Sequence, residues 1–181
     1  MNKLIAIASL LFLCSSILIR ESKEIKVFND KKKSEISYAM RHPLHSWTAK
    51  SKDVTSIIMC DEQKQNITQV AVSAPVSSFD SQNANRDSHA IEVTEALTYP
   101  TITFESSTVT QLGDSLQVEG TLTFHGVKQP ISFKAARQKI NQQLEVTGGF
   151  RVTMTEFNVE PPSLMGISTE DHIDIRFDIF Y

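Results

Sequence analysis

From Ile173 to Tyr181 the chain alternates strictly. Ile173, Ile175, Phe177, Ile179 and Tyr181 are separated by Asp174, Arg176, Asp178 and Phe180. Successive side chains of a strand point to opposite faces, so this period leaves one face apolar and the other mostly charged. An amphipathic helix needs a period near ~3.6 and is ruled out for this segment. The same alternation recurs upstream. Leu144, Val146, Gly148, Phe150, Val152 and Met154 stand against Glu145, Thr147, Arg151 and Thr153. Leu116, Val118, Gly120, Leu122 and Phe124 stand against Gln117, Glu119, Thr121 and Thr123. Ile131 with Phe133, Ile102 with Phe104, Val70 to Val76, and Ile36, Tyr38 and Met40 continue it.

Together these segments indicate about eight strands, each with one apolar and one wet face, which is how antiparallel sheets behave. Gly113-Asp114, the His125 to Pro130 link and Asn141-Gln142-Gln143 supply the turns. Strands at this spacing predict a sandwich or a barrel, and Gly148-Gly149 predicts a bend or bulge of the kind that turns a barrel's corners. Parity then places Leu122, Phe124, Phe150, Val152, Ile175 and Phe177 on the inward wall. One segment departs from period two. Between Asp87 and Leu97 the apolar Ala90, Val93 and Leu97 fall at helical spacing, with Asp87 or Ser88 available as a cap and Tyr99-Pro100 as a stop. No internal repeat and no second domain is visible in a chain of 181 residues.

The N-terminus reads as an address. Lys3, then Leu4 to Leu13 apolar apart from Ser9, then Ile17 to Ile19, ended by Arg20 and Glu21, form a secretory signal over residues 1–20, with the folded domain over 26–181. A membrane anchor is the competing reading, because the apolar stretch is only slightly short of the ~18 residues that span a bilayer. Lipidation at Cys14 is a third, opposed by the bulky Leu13 before it. Loss of Cys14 leaves Cys60 alone, without an internal disulfide, and Cys60 reads as a small residue closing the strand-like run Ile57-Ile58-Met59.

The net charge of −3 leaves no basic surplus for nucleic acid, and Lys31-Lys32-Lys33 reads as a solvated turn. No nucleophile elbow and no phosphate-binding glycine loop is present, and Glu170-Asp171 looks solvated. No catalytic residue, metal site or resident cofactor is therefore expected. His42, His45, His89 and His125 keep three readings open: metal ligands, hydrogen bonds to turns, or contacts to a ligand head. His42 and His45, three apart, would face opposite ways on a straight strand unless Pro43 kinks the chain.

Three stretches carry a resemblance: Asn83 with Arg86-Asp87, then Thr98-Tyr99-Pro100, then Gly120-Thr121-Leu122-Thr123-Phe124-His125-Gly126-Val127. In this order and spacing the chain resembles the YceI-like family of bacterial polyisoprenoid-binding proteins. Met40 to Trp47 and Pro161 to Ile167 are similar to a branch seen in Bacteroidetes-type bacteria, which implies the periplasm of a Gram-negative cell. The resemblance implies an eight-stranded antiparallel, lipocalin-like barrel with one short helix and a long apolar tunnel. It implies a polyprenyl or quinone ligand, a carrier or storage role, and no enzymatic activity. Alternation alone fits a packed interior as well as a hollow one. A ligand-free envelope protein with a filled core, and an enzyme using His125 or His45 as a general base, are the alternatives. In a hollow barrel His42, His45, Arg86, His89 and His125 are the polar candidates for the mouth, Arg86 foremost. The rival role for Arg86 is a salt bridge to Asp87 at the helix start. A homodimer and a membrane partner in the envelope stay open.

Overall fold

The computed structural model describes residues 23–64, 66–164 and 166–181. The segment read as a signal or anchor, with Cys14, lies outside them. The strands in chain order are β1 (Glu24–Phe28), β2 (Glu35–His42), β3 (His45–Ser51), β4 (Thr55–Asp61), β5 (Ile67–Pro75), β6 (Thr101–Leu112), β7 (Ser115–Phe124), β8 (Val127–Ile140), β9 (Gln143–Thr153), β10 (Ser163–Leu164), β11 (Ile167–Ser168) and β12 (His172–Phe180). Among the described residues ten of them form one antiparallel sheet, in the order β1-β4-β5-β6-β7-β8-β9-β12-β2-β3, and β10 and β11 make a small separate ribbon. The expected eight-stranded closed barrel is thus corrected to a ten-stranded sheet curled into a half-barrel, whose edges β1 and β3 do not pair with each other.

The strands that lie outside the alternating segments, β1, β3 and β4, have poor alternation. β3 (HSWTAKS) turns only Trp47 and Ala49 inward as apolar groups, and β1 has only Ile25 and Val27. In β4 the contiguous Ile57-Ile58-Met59 hides the alternation, and Ser56, Ile58 and Cys60 are the buried set. Cys60 is fully buried, and burial pushes its thiol up, as expected of a packing residue.

Two turn expectations change. His125 (φ 49°) and Gly126 (φ 72°) form a two-residue hairpin turn, so β8 starts at Val127 and runs straight through Pro130. Gly148 and Gly149 stay in register with β12, so they are no bulge there, while the pairing of β9 with β8 ends at Gly148, opposite Ala135. The register slips instead between Met59 and Cys60 and between Ser106 and Thr108.

Helix α1 (Ala84–Val93) begins earlier than expected. Asn83, not Asp87 or Ser88, is its cap: the Asn83 side chain accepts from the Arg86 backbone N–H at 3.1 Å. The Asp87 carboxylate turns back to accept from the Ser81 N–H at 3.1 Å. Among the described residues no helix is long and apolar enough to cross a membrane.

One end of the half-barrel is clasped shut by the link between β1 and β2. Asn29 is buried there, taking the Ser56 N–H at 2.8 Å and donating to the Val54 carbonyl at 3.1 Å. Asp30 N–H reaches the Phe180 carbonyl at 2.7 Å, joining the two sides of the sheet.

On the outer face Asp178 stands beside its cross-strand partner Glu35 and near Glu145. Its Oδ1 is buried without a hydrogen-bond partner. Burial, with Glu145 and Glu35, holds this carboxyl above its ordinary range. A raised folded-state pKa means that the native state binds the proton more tightly than the unfolded chain. The stabilising share is present at low pH and is lost as pH rises through the folded value. Asp178→Asn is therefore expected to raise the thermal midpoint at pH ~7, with the gain vanishing near the ordinary aspartate pKa of ~3.9. Melts at both pH values check it, and a variant no more stable than the parent at pH ~7 would refute it.

Candidate functional site

Inside the half-barrel the inward faces do not meet. They surround a cavity of about 210 Å³ lined by residues from most strands and from α1. Leu122, Phe124, Phe150, Val152, Ile175 and Phe177 all line it. An apolar void of this volume left empty would cost about 5 kcal/mol at ~24 cal/mol per Å³, a large share of a domain's whole stability. The side chains thus leave space inside, and the cost of leaving it empty favours an occupant.

Four lining phenylalanines, from β6, β8, β9 and β12, meet around Phe133 in an aromatic waist. The Phe133 ring centroid lies 5.4 Å from Phe104, 5.1 Å from Phe150 in a stacked arrangement, and 5.6 Å from Phe177 edge-on. Two glycines give these rings their place. A Cβ on Gly120 would fall 2.6 Å from Cζ of Phe104, and one on Gly148 would fall 2.5 Å from Cζ of Phe177. The absent side chains leave the room in which both rings lie.

The polar lining is unevenly placed. Tyr38, Trp47, Arg86, Asp87, His89 and Thr94 gather at the end covered by α1, Thr103 lies on β6, and Tyr181 lies at the clasped end. At the α1 end the Arg86 guanidinium stacks on Trp47, 5.1 Å from the ring centroid. Its Nη1 also approaches the Ser81 carbonyl at 3.5 Å. Among the described residues Arg86 makes no ion pair with Asp87, so the expected alternative of a salt bridge does not hold. Tyr38 packs on Phe79 with ring centroids 5.4 Å apart. Burial pushes the Tyr38 phenol up, opposed by the neighbouring Trp47 N–H and by Arg86. The indole Nε1 of Trp47 is buried and lacks a well-formed hydrogen bond. A buried donor paired this poorly gains when a stronger acceptor reaches it. Donors on Trp47, Tyr38 and Arg86 thus converge at one end of an apolar cavity, an arrangement suited to a carbonyl or anionic oxygen.

The histidines divide. His89 lines the cavity from α1, with Nδ1 3.6 Å from Glu92. His42 and His45 face each other across the β2–β3 turn at Pro43-Leu44, with ring centroids 5.2 Å apart, and His45 stacks on Trp47 at 5.4 Å. Neither of the two lines the cavity. Both ring nitrogens of His42 are engaged, Nδ1 accepting from the Leu44 N–H at 3.2 Å and Nε2 meeting the Ile167 carbonyl at 3.0 Å. His125 is fastened behind the wall: Nδ1 lies 3.0 Å from the Phe157 carbonyl, Nε2 lies 3.7 Å from Glu95, and its ring meets Tyr99 edge-on at 4.8 Å. Gly126 lets the Tyr99 ring approach, since a Cβ there would lie 2.5 Å from it. The His-Gly and Tyr-Pro motifs thus anchor the segment that follows α1. Among the described residues no group of three or more His, Cys, Asp or Glu is placed to hold a metal.

Sequence reasoning did not single out Tyr38, Trp47, Phe104, Phe133 or Tyr181 as site residues. All but Trp47 stood in alternating segments already recognised. Nothing in the alternation says which inward residues meet each other and which meet a cavity.

The profile of the YceI-like domain matches residues 29–181. The chain belongs to the YceI-like family. It is 30% identical to the protein YceI of Salmonella newport over 132 residues, 71% of this chain and 68% of that one. Its fold is that of BcnA from Burkholderia cenocepacia, with TM-score 0.75 at 20% identity, covering 84% of this chain and 99% of that one. A polyisoprenoid binding domain from Saccharophagus degradans superposes with TM-score 0.69 at 14% identity, covering 85% and 97%. Within the YceI-like fold, this chain combines an apolar cavity with a polar end under α1.

Proposed function

We propose that the chain is a binding module that holds one long apolar molecule of the isoprenoid class, polyprenyl or quinone-like, for storage or transfer in the envelope of a Gram-negative cell. The observation that carries this reading is a continuous apolar cavity whose donors sit at one end. Each buried CH₂ contributes ~0.8 kcal/mol, so a long chain gains affinity from area alone. Area is non-directional, and the donors at the α1 end fix which end of the ligand stays there. The neighbour from Saccharophagus degradans, a polyisoprenoid binding domain, supports the ligand class. The signal-like residues 1–20 support export. Mass spectrometry of an organic extract of protein purified from the envelope identifies the molecule.

Arg86 is the residue to test. A charge-assisted hydrogen bond is worth about 1.5–3 kcal/mol, or roughly 10- to 100-fold in affinity. Arg86→Ala is expected to weaken an isoprenoid with an anionic head by that factor and to leave a neutral alkane-like probe unaffected. If Arg86 only braces Trp47 and the start of α1, both affinities fall together with the thermal midpoint, and its head-group role is lost.

A further inference from the structure

At the clasped end of the cavity one lining side chain, Tyr181, is held at both of its ends. Tyr181 is buried at 6% exposure and lines the cavity. Its backbone is held to Leu144 by two hydrogen bonds, N–H to carbonyl at 2.8 Å and carbonyl to N–H at 3.0 Å. Its hydroxyl lies 2.5 Å from Oγ of Ser56, which is itself fully buried and reaches the Ala71 carbonyl at 3.3 Å. Behind Ser56 stands the Asn29 clasp. The Tyr181 ring is therefore fixed at both of its ends, on β9 by the backbone and on β4 by the hydroxyl. The aliphatic lining residues Ile179 and Val146 have no such tether. Two residues along β8 from Phe133, on the same face, stands Ala135, a small residue at 4% exposure that also lines the cavity. Its pairing partners are Leu116 on β7 and Gly148 on β9.

We propose that Tyr181 is the stop that sets the length of chain the cavity accepts, and that Ala135 leaves the room in which the tail of that chain lies. The inference rests on the reading of the cavity as an isoprenoid site and deepens it to a length preference. Each CH₂ added to a ligand is buried, at about 4-fold in affinity, until the tail meets the tethered ring. Beyond that length the added carbons stay outside, in water, and contribute nothing.

The test is a graded series of prenyl alcohols of increasing length, competed against a fluorescent lipid probe on the full-length folded protein. For the parent, affinity is expected to climb with length and then break to a plateau. Ala135→Leu fills that room and is expected to move the break to a shorter chain. Tyr181→Ala removes the stop and is expected to move it to a longer one. Tyr181→Phe keeps the ring but frees it from Ser56, and is expected to move the break part of the way towards that of Tyr181→Ala. Should Tyr181→Ala fail to fold, the opposite shifts in Ala135→Leu and Tyr181→Phe still decide the matter. A break at the same length in the parent and in Ala135→Leu overturns the proposal, as does a climb with no break in the parent. Failure of every prenyl alcohol to displace the probe from the parent would instead remove the isoprenoid reading itself.

Discussion

Phe177→Asp is expected to cost this protein about 3–5 kcal/mol for the lost ring alone, with a further loss that grows with pH. The ring lies over Gly148 and edge-on to Phe133, 5.6 Å between centroids. Removing it takes one side out of the waist. The carboxylate that replaces it faces an apolar lumen, and burial raises the pKa of a carboxyl group. The folded state of the variant then holds its proton more tightly than the unfolded chain does. The deficit is smallest below the ordinary aspartate range and grows as pH rises through the folded value. Set against a typical domain stability of about 5–15 kcal/mol, the variant at pH ~8 is close to unfolded. Denaturant unfolding at pH ~5 and pH ~8 measures both parts. A deficit below about 1 kcal/mol, or one that shrinks towards high pH, would mean that Phe177 faces solvent.

That inward placement was readable from parity alone, and the reason marks the limit of what alternation conveys. Along β12 and into Tyr181 five apolar residues fall on one face, and a slip of one residue would turn all of them to water, so the parity is strongly determined. β3 carries no such signal. Trp47 is its one large inward apolar residue, yet it supplies the platform for Arg86 and the poorly paired donor of the α1 end. Its place depends on the β2–β3 turn, which sets His42 against His45 and Met40 against Trp47. The strand count failed for a related reason: β1, β3 and β4 are short, and their inward residues are small or few. The start of α1 was misread because Asn83, Asp87 and Ser88 are all competent caps. Only the backbone path places Asn83 to accept from Arg86 and Asp87 to accept from Ser81. The space inside was beyond periodicity altogether, because inward apolar residues look the same whether they touch one another or a void.

Gly148→Val is expected to spare most of the stability and to remove most of the binding. The position is ordinary extended strand, with φ outside the left-handed region, and a β-branched residue suits it better than glycine does. The new Cβ would lie 2.5 Å from Cζ of Phe177 and 3.0 Å from the Lys134 carbonyl. The carbonyl belongs to the sheet and holds its place, so the Phe177 ring gives way, and its free direction is into the lumen. Overpacking of this kind costs about 1–3 kcal/mol, partly offset by the gain in strand propensity. A ring swung across the waist occupies the space of about four CH₂ groups. At ~0.8 kcal/mol each that is about 3 kcal/mol, or ~100-fold in affinity for a long apolar chain. The neighbouring glycine provides the contrast. A Cβ on Gly149 would lie 2.5 Å from the backbone carbonyl of Ile175, on the face away from the lumen. Gly149→Val should therefore strain the β9–β12 pairing and lower the thermal midpoint, with little effect on binding by the fraction that remains folded. Melting curves and chain affinities for the two variants separate the roles. If Gly148→Val binds a long apolar chain as tightly as the parent does, Phe177 has no part in keeping the passage open.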